Sequence, residues 1–279
     1  MKISNKTRDI SISIFIIFLI TIFTISLVNI DKEKSSVQTS GSILNQEYSN
    51  DNKKISWGIK RSDNNQQPDV GSQNKTILDE YKGICLGNNE KKYVYLTFDE
   101  GYEAGYTEKL LETLKQNEIK ATFFITAHYL NSQPDLVNKI IEDGHILGNH
   151  TVNHKSMPDL TDEKIKQEVM DLHKAIYQKT GYEMIYIRPP MGEFSKRSLS
   201  ITNSLGYTTV MWSLAYDDWN EQAQKGEEYA KEKILKNIHP GAIILLHANS
   251  KDNCNVLDYV IKEVKNMGYE FKSLDEFER

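Results

Sequence analysis

Cysteine is scarce in this chain: Cys85 and Cys254 are the two among 279 residues. Two thiols cannot build a disulfide scaffold, and neither has the Cys-x-x-Cys spacing of a redox or zinc site. They are read as unpaired thiols. Basic clusters are also missing, since the net charge is -5 and no long Lys/Arg block occurs. Phosphate binding needs a basic face, so nucleic acid is excluded as a partner. No internal repeat is evident, and nothing beyond residue 30 suggests a second membrane span. An A-x-A-like cleavage site after Ile30 is absent too, which disfavours a cleaved signal peptide.

The strongest compositional feature is residues 10–30, an uncharged run dominated by Ile, Phe, Leu and Val. As a helix it would be roughly 31 Å long, about one hydrocarbon core. Lys2, Lys6 and Arg8 precede it, which puts the N-terminus inside and the remainder outside. Residues 1–31 are therefore expected to be a signal anchor, or failing that a signal peptide, and the functional part to be extracytoplasmic. Residues 32–74 are polar and poor in apolar side chains, the composition of a flexible tether. Ile55, Trp57 and Ile59 interrupt this stretch by alternating, and residues 55–60 are expected to pack on the domain that follows. That domain, residues 75–279, is of ordinary single-domain size, and a monomer is expected.

Beyond residue 90, short β-prone runs alternate with helical periodicity. Strands are expected at 93–98, 121–126, 145–147, 184–187, 207–212 and 242–246. Helices are expected at 107–119, 134–142, 161–180, 195–205, 227–238 and 256–266. This alternation predicts an α/β fold, a parallel sheet covered by helices, open or closed into a barrel. In such folds chemistry gathers at the C-terminal ends of the strands. The residues just past the apolar runs are Asp99 and Glu100, His128, His150, Arg188, Asp217 and Asp218, and His247. Taken singly each has an ordinary structural explanation; together they point to one constellation.

The chemistry of each group suggests a role. Asp99 and Glu100 are adjacent carboxylates, able to divide as base and cation ligand. His150 and His154, four residues apart, share a face if that segment is helical, and neutral imidazole is a common metal ligand. The residues between them are not those of the H-E-x-x-H peptidases. Glu100 is the natural third ligand. Arg188 leaves its strand ahead of two prolines with little freedom, and an arginine beside a carboxylate lowers its pKa. His247 follows a buried strand, and next to Asp218 it becomes a tuned acid. Trp219 suits the apolar C–H face of a sugar.

In order, the strings TFDEG, HTVNH, RPPMGEF, DDW and LLHA resemble the five motifs of the polysaccharide deacetylases, the NodB-like or carbohydrate esterase 4 family. LTFDEGYEAGYT, MWSLAYDDW and HPGAIILLHANS are most similar to the subgroup acting on muramic acid on the route to the δ-lactam of spore cortex. The resemblance spans about residues 55–279. It implies a distorted (β/α) barrel, a divalent metal such as zinc, and peptidoglycan glycan strands as substrate. It assigns Asp99 as base, Arg188 as its orienting partner, and His247 as acid tuned by Asp218. It also assigns His150, His154 and Glu100 to the metal, Met191 to the oxyanion, Trp219 to the groove and Leu245 to the acetyl methyl. One position departs from the pattern: most members carry Asp, and the muramic subgroup often Asn, where this chain has Glu100. Its extra methylene moves the carboxylate by roughly one bond length, which matters in a fixed site. De-N-acetylation of glucosamine in peptidoglycan or of another exported polysaccharide, and a sugar-binding protein without activity, remain the alternatives.

Overall fold

The computed structural model describes residues 48–279. The apolar segment 10–30 and its expected helix lie outside the described residues. Among those described, no helix is long and apolar enough to cross a membrane.

A seven-stranded sheet forms the centre. Its strands are β2 (Tyr93–Glu100), β3 (Thr122–Ile125), β4 (Ile146–Asn149), β5 (Tyr186–Ile187), β7 (Thr208–Thr209), β8 (Ala242–His247) and β9 (Glu270–Lys272). All pairings within it are parallel, in the order β7-β5-β4-β3-β2-β8, with β9 also on β2. Parallel strands need crossovers, and helices supply them: α2 (Thr107–Gln116), α3 (Ala127–Ser132), α4 (Pro134–Glu142), α5 (Asp162–Thr180), α6 (Lys196–Ser204), α7 (Glu227–Asn237) and α8 (Lys251–Asn266). A sheet covered on both faces needs continuously apolar strands. β2 and β8 meet this requirement, buried along nearly their whole length.

The sheet curls, and its edges β7 and β8 are joined only by single bridges. Leu214 bridges Ile244, while Ile84 bridges Val210 and Leu86 bridges Ala242. The expected barrel is therefore a curled sheet whose last gap is spanned by isolated contacts, with no continuous ladder closing it.

The tether expected over residues 32–74 does not reach residue 74. The compact unit runs from Ser49 to Arg279. β1 (Ile55–Ser56) pairs antiparallel with β6 (Glu193–Phe194), and α1 (Ser72–Glu80) leads into the sheet. Trp57 is 7 % exposed, in a cluster with Val70, Leu78, Cys85, Phe194, Leu199 and Met211. Its indole Nε1 donates to the Trp212 carbonyl at 2.9 Å, and its backbone N–H to the Gly192 carbonyl at 2.9 Å. A few apolar anchors and backbone bonds thus hold a segment whose average composition is that of a linker. Cys85 and Cys254 are both buried and unpaired.

Candidate active site

The strand ends converge on a cleft of about 1060 Å³ lined by Asp99, His150, His154, Met191, Trp219, Leu245 and His247 among others. β2 and β8 set its floor. Asp99 is the register partner of His247, and Thr97 of Leu245. Because side chains alternate along a strand, these four share one face, while Phe98 stacks on Phe123 with centroids 5.1 Å apart.

Arg188 is fully buried behind Asp99. Its Nη1 donates to Asp99 Oδ1 at 2.7 Å, Nη2 to Thr97 Oγ1 at 2.9 Å and Nε to the Val210 carbonyl at 3.1 Å. The guanidinium also lies 4.2 Å from the Phe124 ring centroid. A buried charge is tolerated only when so completely partnered. Burial alone would raise the Asp99 carboxyl, but Arg188, with His150 and His247, outweighs it and holds Asp99 below its ordinary range.

His247 meets Asp218 twice: its Nδ1 donates to Oδ1 and its backbone N–H to Oδ2, both at 2.8 Å. Asn253 adds a third donor to Asp218 Oδ2 at 2.6 Å. Burial opposes a charge on His247, but the Asp218 carboxylate overcomes it and raises the imidazole above its ordinary value. With Nδ1 committed to Asp218, the Nε2 proton is the one His247 can give away.

The two remaining histidines sit on a turn, where a helix face was one expectation. Thr151 and His154 both adopt left-handed backbone, at φ 68° and 53°. Non-glycine residues pay about 1–3 kcal/mol for such strain, so neighbours must enforce it. The Thr151 N–H donates to Asn149 Oδ1 at 2.9 Å, and the His154 N–H to Thr151 Oγ1 at 3.1 Å. Glu168 of α5 clamps the turn between them, accepting from the Asn153 backbone N–H at 2.7 Å and from Asn153 Nδ2 at 2.6 Å. His150 Nδ1 donates to the Arg188 carbonyl at 2.8 Å, which leaves Nε2 as the lone-pair nitrogen. His150 Nε2 lies 3.1 Å from His154 Nε2 and 3.5 Å from Asp99 Oδ2. Burial pushes His150 down to about 4 and lowers His154 as well, so both are neutral near pH 7.

This donor set fits a divalent cation in part. Two imidazoles on one tetrahedral zinc, at ~2.0–2.1 Å each, hold their nitrogens about 3.3 Å apart, close to the separation here. The expected third ligand does not join them. Glu100 is buried away from the cleft, where its Oε1 accepts from Thr107 Oγ1 at 3.2 Å and its Oε2 has no hydrogen-bond partner. The cause is strand length. β2 runs through Glu100, which pairs with Ile125, so alternation sends its side chain to the face opposite Asp99. Burial, with the Glu103 charge nearby, raises the Glu100 carboxyl well above its ordinary range. Among the described residues no group of three His, Cys, Asp or Glu is arranged as a metal cage.

The other expected residues are placed as follows. Met191 lies at the rim with φ 58°, in a turn that Gly192 completes at φ 66°. A Cβ on Gly192 would meet the Trp212 ring at 2.6 Å, so only glycine fits there. Leu245 and exposed Trp219 line the cleft, as does His128. Asp217 does not; it pairs with Lys225 and Tyr229. Sequence reasoning missed Thr97, Asn253 and Glu168. Thr97 was recoverable from its two-residue offset to Asp99. Glu168 was recoverable as an acid on the apolar stripe Ile165, Val169, Leu172, Ile176. Asn253 carried no signal.

Comparisons with known proteins give a consistent pattern. A family model described as polysaccharide deacetylase matches residues 86–210. An uncharacterized 30.6 kDa protein of Geobacillus stearothermophilus is 47 % identical over 226 residues, covering 81 % of this chain and 85 % of that one. The peptidoglycan-N-acetylmuramic acid deacetylase PdaA of Bacillus subtilis is 44 % identical over 226 residues, covering 81 % and 86 %. The solved structure of that protein, a family 4 carbohydrate esterase, superposes with a TM-score of 0.79 over 81 % of this chain and 97 % of that one. A family 4 carbohydrate esterase from Bacillus anthracis superposes with a TM-score of 0.70 at 40 % identity, over 83 % and 98 %.

Proposed function

Because the chain belongs to the polysaccharide deacetylase family, we propose that it hydrolyses the N-acetyl groups of peptidoglycan strands, with N-acetylmuramic acid as the residue attacked. The observation that carries the reading is the pairing, on neighbouring strand ends, of Asp99, whose carboxyl Arg188 helps hold below its ordinary range, with His247, whose imidazole Asp218 raises above its ordinary value. Muramic specificity is supported by the relative from Bacillus subtilis, a peptidoglycan-N-acetylmuramic acid deacetylase. The resemblance of the motif strings extends it to the route toward muramic δ-lactam.

Amide hydrolysis needs a nucleophile, a stabilised oxyanion and a proton for the amine. Asp99 takes a proton from water as the oxygen bonds to the acetyl carbon. The Met191 backbone N–H, in its left-handed turn, faces the developing oxyanion; such donors are worth about 3–4 kcal/mol each. His247 Nε2 then protonates the sugar nitrogen as the C–N bond breaks, releasing acetate and leaving a free amine. Leu245 offers an apolar wall to the methyl group, and Trp219 a face to the sugar. His150 and His154 would hold a divalent cation of the zinc type, whose chemistry is to acidify a bound water and polarise a carbonyl. With such a substrate, the domain acts outside the cytoplasm, and residues 10–30 would anchor it to the membrane.

Acetate release from purified glycan strands, with divalent metals supplied in turn, tests the reading. The parent chain should release acetate, and Asp99→Asn should still bind strands but release none. A parent chain that releases no acetate from any glycan, under any metal, overturns it.

A further inference from the structure

Asn249 lies two residues past His247 and is 8 % exposed, yet it borders the cleft. Its Nδ2 donates to the Tyr102 hydroxyl at 2.9 Å and to the Trp219 carbonyl at 3.1 Å. Tyr102 follows β2, and Trp219 lies on the loop after residue 214, so one amide ties two loops from different strands. Both aromatic side chains stay open to solvent, Tyr102 at 45 % and Trp219 at 61 %, and both line the cleft. Large aromatics left this exposed beside a catalytic centre are available to the apolar face of a ligand. The Asn249 Oδ1 is buried without a partner, a cost that nothing in packing requires.

Resting on the function proposed above, we infer that Asn249 is a positioning residue: by tying the Tyr102 hydroxyl to the Trp219 backbone carbonyl it holds two cleft-lining aromatics where a sugar strand binds. The loop that carries Trp219 has further ties of its own. Gln224 Nε2 donates to the Asp218 and Asn220 carbonyls at 3.0 and 2.9 Å, and Ser250 Oγ to Gln224 Oε1 at 2.6 Å. The loop backbone is thus secured by other bonds as well, and Asn249 adds the link across to Tyr102.

Steady-state kinetics on defined peptidoglycan strands test this, with Asn249→Leu, Tyr102→Phe and the double variant. Leucine matches the amide in size and removes the orphaned oxygen, and Tyr102→Phe deletes one hydroxyl on a half-exposed residue, so the fold is not put at risk. KM should rise about 3- to 10-fold for Asn249→Leu, which removes both bonds of the amide nitrogen, with kcat within about twofold. Tyr102→Phe should give a smaller rise, and the double variant should be no worse than Asn249→Leu, because both cut the same link. An unchanged KM, a fall in kcat at constant KM, or additive losses would each overturn the inference. A parent chain inactive on every strand would instead refute the function reading, so the two failures are distinct.

Discussion

Asp99 and His247 are direct register partners on adjacent parallel strands, so the proposed base and acid are fixed side by side by the backbone of β2 and β8. Neither depends on a loop for its position. The opposite directions in which their pKa values move come from what stands behind each: Arg188 behind Asp99, and Asp218 behind His247.

The pH dependence of the rate follows from these partners. His247 is the acid, and its folded pKa is raised, so its active form prevails below that value and disappears as pH rises through it. The alkaline limb of kcat should therefore lie above the ordinary imidazole range. Asp218→Asn removes the charge that offsets burial, leaving desolvation to lower the pKa. Its alkaline limb should move to lower pH, and kcat at neutral pH should fall ~10²-fold or more. A pH–rate profile of the two proteins checks this; an unmoved limb removes His247 from the role of acid.

Metal dependence should follow the two histidines and ignore Glu100. His154→Ala should lose bound zinc, measured by elemental analysis after dialysis. Glu100→Gln should keep it, because that carboxyl is buried and turned toward Thr107, away from the histidines. Its acetate release should stay within about threefold of the parent, the cost of one altered buried hydrogen bond.

Glu168 should matter without touching substrate. Glu168→Gln keeps its size but offers only one acceptor, so the turn loses one of its two bonds to Asn153. Zinc affinity should drop about 10- to 100-fold, the usual effect of disturbing groups that orient a ligand. Titration with a competing chelator reads this, and Glu168→Asp should not restore it because the shorter arm cannot span both donors.

Trp57 should be part of the stability of the domain. Trp57→Ala removes a buried aromatic from its contact with Phe194 and its bond to Trp212, and should cost about 3–5 kcal/mol. Urea unfolding checks the magnitude. A loss under ~1 kcal/mol would mean that residues 49–60 do not contribute to the fold.

Much of this architecture is legible in the sequence because it rests on local pattern. The apolar run before Asp99, the apolar run before His247 and the helical spacing of Leu110, Leu111 and Leu114 each name their element unaided. The order of strand-end groups then locates the cleft. What stayed hidden depends on where an element stops or on contacts far apart in the chain. Ending β2 at Phe98 puts Glu100 in a loop free to reach the histidines; two more residues of strand turn it away. Likewise the turn at Thr151–His154 carries no glycine to announce its left-handed backbone. It is enforced by Asn149 and by Glu168 on a later helix. The alternation of Ile55, Trp57 and Ile59 did announce the docking of that strip, whereas averaged composition hid that the residues around it, from Ser49 on, belong to the compact unit.

The most direct measurement is mass spectrometry of peptidoglycan strands digested after treatment with the purified protein. Muramic residues lacking their acetyl group, with glucosamine residues intact, are the expected product, absent when Asp99→Asn replaces the parent. Loss of acetyl from glucosamine alone would contradict the proposed substrate, and no loss from either sugar would contradict the proposed chemistry.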